Sequence, residues 1–460
     1  MALGLLIACH PVRLAALDIQ PESGNEWQQK QAVTAKEFMV SAAHPLASRV
    51  GYDILAQGGN AIDAAIAVQI MLNLVEPQSS GIGGGAFLLY WDAERAELLS
   101  FDGRETAPTA VTPDYFLGSD GKPGKWWETV TGGRSVGVPG TLRLLESLHR
   151  RYGVLPWASL LQPTIQRARQ GFEVTPRLAA SIARSQDHGL QAFAATRDYF
   201  FTTEGDPLPA GTRLRNPKFA QTLEQIARKG ADYLYTGPLA QEIVQSVTHH
   251  GSRPGLMSLE DLRSYEIRER EAVCAPYRAY RVCGMGPPSS GALTVGQMLG
   301  LLSHFDLPEL GFGVQSVHLY SEAAKLAYAD RARYMADSDY VAMPTAGLLD
   351  PNYLAQRAAS IDPDRAMNQA EAGSPPWEQA VSYSADLSVE RPGTSHISIV
   401  DAQGNIVSMT TTIETGFGSR LMVGGFLLNN ELTDFSFIPE RDGKPVANRI
   451  EGGKRPRSSM

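Results

Sequence analysis

At Pro392-Gly393-Thr394-Ser395-His396 a hydroxyl stands directly behind a glycine, where a run of alternating residues begins. That arrangement suits cleavage of the chain by itself. Glycine lets the carbonyl before the cut adopt strained backbone angles, and the Thr394 hydroxyl can attack it. Cleavage frees the α-amine of Thr394, and a group with a reference pKa of about 8 is a usable base at neutral pH. One residue then supplies both nucleophile and base. By periodicity alone Thr394 is better explained as a residue that opens a strand, so the rest of the sequence has to decide.

The elements around it follow from patterning. Ser395–Val400 and Asn405–Ile413 alternate with period two about the turn Asp401-Ala-Gln-Gly404, which predicts a hairpin. Thr412 falls on the second strand, on one face with Thr410. Gly424–Asn430 reads as a further strand. Upstream, Pro45–Leu55 places Leu46, Val50 and Ile54 on one helical face, and Asn60 caps an Ala-rich helix that is apolar nearly all round and so should be buried. Gly81-Ile-Gly-Gly-Gly85 is a loop before the strand Ala86–Trp91, whose partner is Ala96–Asp102. Helical patterns cover Gly140–Arg151, Trp157–Gly171, Lys218–Lys229, Pro238–His249 and Val317–Tyr334. Val273–Met285 reads as a strand, and Met367–Pro392 as a linker.

Composition sets outer bounds. The chain has 460 residues, 43% hydrophobic and 20% charged, ordinary globular usage. A net charge of −8 offers no basic surface for general nucleic-acid binding. Cys9, Cys274 and Cys283 make neither a disulfide scaffold nor a zinc cluster, although Cys274 and Cys283 are able to pair in an oxidising compartment. Residues 1–35 read as poorly structured or as a signal remnant, with a polar break at Pro21–Asn25. Leu6-Ile-Ala-Cys9 resembles a bacterial lipoprotein cleavage box, so the expectation is a periplasmic or extracellular location. A frayed terminus explains the same residues.

Thr394–Gly418, Leu427–Phe435 and Gly453–Met460 resemble the diagnostic segments of the γ-glutamyltranspeptidases. Gly58–Ala64, Gly81–Gly85, Asp102–Pro108, Val138–Gly140 and Pro288–Gly291 resemble further pieces, in family order over almost the whole chain. The resemblance implies an α+β fold, the four-layer αββα sandwich of N-terminal nucleophile hydrolases. It also implies a precursor cut between Gly393 and Thr394, giving a large-subunit region, 36–393, and a small-subunit start, 394–460. The implied activity is γ-glutamyl transfer or hydrolysis of glutathione and related amides through a Thr394 acyl-enzyme, with water, an amino acid or a peptide as acceptor. Thr412 is implied to orient the nucleophile. Arg104, Ser458 and Ser459 are implied to bind the substrate carboxylate, and Glu431 and Asp434 its ammonium. No metal or organic cofactor is implied.

Three departures bear on these expectations. Glu414 stands where many relatives have Asn; a third carboxylate there strengthens ammonium binding and repels the carboxylate. Phe435–Arg457 contains no Tyr, whereas some relatives carry a Tyr-bearing lid, so the expected site is more open. The chain stops at Met460, before the Gly-Gly pair whose N–H groups form the family's oxyanion hole. The expectation is a C-terminally incomplete fold and a poorly active chain, with an active full-length parent. The alternatives are a cephalosporin- or glutaryl-type amidase and a catalytically silent homologue.

Other motifs carry less. Gly133-Arg-Ser135-Val-Gly137 matches a nucleophile elbow but follows a poor strand and lacks ordered partners. Gly81–Gly85 precedes a strand rather than a helix, so it reads as a tight turn, not a phosphate loop. His396 reads as a packed strand histidine, and the stripe Tyr320, Leu326, Tyr328 and Tyr334 as core.

Overall fold

The computed structural model describes residues 32–249, 253–379, 381–388 and 393–460. The apolar start, the break at Pro21–Asn25 and the box at Leu6–Cys9 lie outside these residues, as does Pro392.

Strand β1 (Met39–Ala42) leads into α1 (Pro45–Ala56), which has proline in its first turn, where no helical bond is lost, and the His44 ring accepting from the Leu46 N–H. Helix α2 (Ala61–Val75) starts on a reciprocal cap between Asn60 and Asp63, and all of its residues are buried. The hairpin β2 (Gly85–Asp92) and β3 (Glu97–Gly103) follows, then α3 (Thr141–Tyr152), α4 (Trp157–Gln170), α5 (Pro217–Lys229) and α6 (Pro238–Thr248). Strand β4 (Arg268–Arg270) comes next. Val273–Met285 is a hairpin, not one strand: β5 (Val273–Tyr277) and β6 (Tyr280–Gly284) turn at Arg278, whose φ of +54° no glycine or asparagine announces in the sequence. Cys274 and Cys283 face each other across that hairpin and form a disulfide. Helices α7 (Gly291–Leu302), α8 (Val314–Tyr334) and α9 (Pro351–Ala358) precede β7 (Thr394–Val400) and β8 (Ile406–Thr412).

The main sheet runs β1-β7-β8-β2-β3-β4 with antiparallel neighbours. The predicted hairpin is therefore threaded into its middle, and residues on both sides of Gly393 build one sheet. Along β7, Ser395, Ile397 and Ile399 are buried while His396, Ser398 and Val400 are exposed. Ile397, Ile399, Val407 and Met409 join α2 in the principal core. On the opposite face, Phe87, Leu89, Ser408 and Thr410 look across a cavity at Val282 of β6, Met285 just after it, and Ala292 and Val295 of α7. Behind α7, helices α8 and α9 close a second core around Leu293, Leu319, Leu326 and Leu354. Helix, sheet, hairpin and helix thus succeed one another in the αββα order.

Other expectations need correcting. Of Gly424–Asn430 only Phe426–Leu427 is strand, paired with Met422–Val423 around Gly424 and Gly425, both at positive φ. The described part of Met367–Pro392 has almost no regular structure but is docked: the buried Asp386 carboxylate pairs with Arg457 at 3.1 Å, and the Ser384 N–H reaches the Pro445 carbonyl. Along α8, Leu326 and Tyr334 are core, whereas Tyr320 and Tyr328 are about half exposed.

Candidate active site

Thr394 opens β7 directly opposite Thr412, the last residue of β8. The Glu414 N–H can only donate, so at 2.8 Å it fixes the Thr412 oxygen as its acceptor; the Thr412 hydroxyl then donates to the Gly393 carbonyl, also at 2.8 Å. In the unbroken chain this hydroxyl therefore serves the carbonyl before Thr394, not the Thr394 side chain. Gly393 packs closely against the Glu414 carbonyl. Its requirement is space: a Cβ there would lie 2.1 Å from the Glu414 carbonyl oxygen. Gly84 is glycine for the same reason, since its Cβ would meet the Thr412 carbonyl at 1.9 Å. The Gly81–Gly85 loop is thus a tight turn packed on the end of β8.

Beyond β8 the backbone takes left-handed angles at Glu414 (φ +74°), Phe417 (+67°) and Arg420 (+67°). Such residues cost roughly 1–3 kcal/mol each and persist only where their surroundings hold them. Here Asn430 does much of the holding. Its Oδ1 accepts from the Thr415 N–H and hydroxyl at 3.1 Å each, and its Nδ2 donates to the Glu414 carboxylate at 2.5 Å.

Arg104 follows β3 and is buried. Its N–H is held by Asp102 at 2.8 Å, and its guanidinium donates to Glu431, to Asp434 at 2.5 Å, and to the Pro456 and Arg457 carbonyls. Burial alone would lower its pKa, but the charges of Glu431, Asp434 and Glu105 outweigh that and raise it. Burial pushes Glu431 up to about 7 against the pull of Arg104. Glu414 is raised well above the ordinary range by burial and by the charges of Asp434 and Glu431. Glu105, absent from the sequence-based set, is raised in the same way by burial and the charge of Glu431, against the pull of Arg104. Its place beside Arg104 in the sequence was the signal.

Ser458 and Ser459 arrive on the segment after Lys454, whose buried ammonium donates to the Ala447 and Arg449 carbonyls. The Ser458 backbone bridges the Pro288–Gly291 turn through its N–H to Pro288 and through its carbonyl, which accepts from Ser290. One cavity of about 490 Å³ is lined by Arg104, Thr394, Thr412, Glu414, Glu431, Asp434, Ser458 and Ser459, and also by Tyr328, Thr410 and Met460, which the motifs did not single out. Ser135 lies elsewhere: its buried hydroxyl donates to the Val130 carbonyl, so Gly133–Gly137 presents no nucleophile. His396 is exposed rather than packed and shares a hydrogen bond with the Thr410 hydroxyl.

The layered α/β frame, with a threonine at the head of a central strand, is that of the N-terminal nucleophile hydrolases. The γ-glutamyltranspeptidase family model matches residues 47–460. The chain is 40% identical over 451 residues to the glutathione hydrolase proenzyme of Bacillus subtilis (strain 168), covering 96% of this chain and 74% of that protein. The Helicobacter pylori γ-glutamyltranspeptidase structure superposes with a TM-score of 0.71 at 32% identity, over 75% of this chain and 97% of that one. A cephalosporin acylase from Bacillus halodurans superposes with a TM-score of 0.81 at 29% identity, over 95% and 76% of the two chains. The chain belongs to the γ-glutamyltranspeptidase family.

Proposed function

We propose that this protein transfers or hydrolyses γ-glutamyl groups of glutathione-type amides, using Thr394 after the chain has cut itself between Gly393 and Thr394. In the cut, the Thr394 oxygen adds to the Gly393 carbonyl carbon while the Thr412 hydroxyl polarises the carbonyl oxygen. The C–N bond breaks, the Thr394 nitrogen takes up a proton, and water hydrolyses the resulting ester. The freed amine then accepts the Thr394 hydroxyl proton as the oxygen attacks the γ-carbonyl of a donor. The donor's amine leaves with a proton, and water or the amine of an amino acid or peptide takes the acyl group. Once the Gly393 carbonyl has departed, the Thr412 hydroxyl can turn to Thr394.

The observation that carries the substrate reading is the charge inventory of the cavity. One guanidinium, Arg104, stands among Glu431, Asp434 and Glu105, with Glu414 on the same cavity. A zwitterionic head suits this arrangement: its carboxylate meets Arg104, Ser458 and Ser459, and its ammonium meets the acids. A glutaryl group brings a carboxylate without an ammonium and meets mostly repulsion. The likeness to a cephalosporin acylase makes the glutaryl reading the one to test against. Hydrolysis of a γ-glutamyl anilide should exceed that of a glutaryl anilide by at least about tenfold, the loss of one charge-assisted partner being worth roughly 1.5–3 kcal/mol. Preference for the glutaryl compound overturns the assignment.

For location, we infer a periplasmic or extracellular site of action. The Cys274–Cys283 disulfide supports it, because such bonds persist in oxidising compartments. Full reactivity of both thiols in protein isolated from cells under alkylating conditions would count against it.

A further inference from the structure

The motif Pro288-Ser289-Ser290-Gly291 does no chemistry in the scheme above, yet it is wired to the cavity through a buried arginine that no motif marked. Arg331 sits in the last turn of α8 and is 5% exposed. Its Nε donates to Ser290 Oγ at 2.6 Å, and an Nη donates to Ser459 Oγ at 2.9 Å. Ser290 Oγ in turn donates to the Ser458 carbonyl at 2.8 Å, and Ser289 Oγ to the Met460 carbonyl. One turn back on α8, the Tyr328 ring lies 5.7 Å from the Arg331 guanidinium and lines the same cavity as Ser459.

Direction is what matters in this chain of bonds. A guanidinium has donors and no acceptor, so at both serines the oxygen accepts from Arg331. Ser290 must then spend its proton on the Ser458 carbonyl, which fixes the backbone between the two cavity serines. Ser459 must turn its O–H away from the guanidinium. A cation behind a hydroxyl also makes that hydroxyl a better donor to an anion.

We propose that Arg331 is a positioning residue for the carboxylate end of the acyl donor, acting through Ser459 directly and through Ser290 on Ser458. This rests on the γ-glutamyl reading and adds a determinant of donor affinity outside the residues that touch the donor.

The test compares Arg331→Met with wild type on two donors: γ-glutamyl anilide, and 4-aminobutyryl anilide, which lacks the α-carboxylate. KM for the first should rise by about tenfold or more, the scale of one charge-assisted hydrogen bond, with kcat little changed. KM for the second should stay within about twofold, the spread expected when no contact is lost, and self-cleavage should keep its rate. Should Arg331→Met fail to fold, Arg331→Lys, which keeps the charge but not the two-pronged geometry, takes its place with a smaller selective rise. Equal shifts on both donors, or none on either, overturn the proposal. Wild-type protein that cuts itself but ignores γ-glutamyl anilide overturns the parent reading instead, and this proposal with it.

Discussion

The hydroxyl of Thr412 donates to the carbonyl of Gly393 across 2.8 Å, from a place in the sheet register opposite Thr394. A donor fixed on the carbonyl ahead of a nucleophile is aimed where negative charge collects as the bond is attacked. On the proposed mechanism Thr412 acts before there is any mature enzyme.

Replacing it removes that donor. Thr412→Val should slow self-cleavage on the order of a hundredfold, in line with the loss of one donor to a developing oxyanion. Thr412→Ser should retain most of the rate. Intact mass against time reads this directly, and Thr394→Ala supplies the uncut reference. Wild-type kinetics in the valine variant would remove Thr412 from maturation.

The residue before the cut is constrained by volume. Gly393→Ala sets a methyl group 2.1 Å from the Glu414 carbonyl oxygen, and backbone there has to move. A displacement of about 1 Å at reacting atoms can cost on the order of a hundredfold in rate. Cleavage should slow by that order while the fold survives, as judged by an unchanged far-ultraviolet circular dichroism spectrum.

Glu431 gives a pH signature whose sign is set by burial. Its folded pKa, about 7, lies above the ordinary 4.5. Between those values the native carboxyl keeps a proton that the unfolded chain has released, so stability falls as pH rises. The contribution is full below the unfolded value and is lost as pH passes about 7. The melting temperature should drop across that window, and Glu431→Gln should flatten the drop. Ammonium binding needs the ionised carboxylate, so donor KM should fall over the same range in wild type.

Two buried aspartates join the halves of the site. Asp102 accepts from the Arg104 N–H and from Arg270 at 2.7 Å, while Asp337 accepts from the Arg455 N–H at 2.9 Å and pairs with the same Arg270 at 3.3 Å. Arg104 and the segment bearing Ser458 are therefore braced on one guanidinium. Removing one partner of a buried pair typically costs about 3–5 kcal/mol. Asp102→Asn should approach the lower end in urea unfolding, because its amide oxygen still accepts, and should raise donor KM more than kcat.

The hairpin around Asp401–Gly404, the capped and wholly buried α2, and most helix positions were legible in the sequence, because each follows from local periodicity and end signals. Motifs in a recognisable order also named eight residues that the structure sets around one cavity. Local pattern did not show the turn at Arg278, the split of Gly424–Asn430 or the exposure of Tyr328. In each, a backbone angle or a neighbour distant in sequence sets the outcome.

The sequence by itself determined that a threonine follows a glycine at the head of a strand, and that one arginine and several acids are available to a charged head group. Only the tertiary structure decided which groups meet. Threading β7 and β8 into the middle of the sheet sets Thr412 against Gly393, and the packing of β3, the Glu431–Asp434 turn and the last residues gathers the acids on Arg104. The reason is physical: hydrogen-bond direction and burial depend on atoms far apart along the chain, and a lone residue carries no record of which of them will be its neighbour.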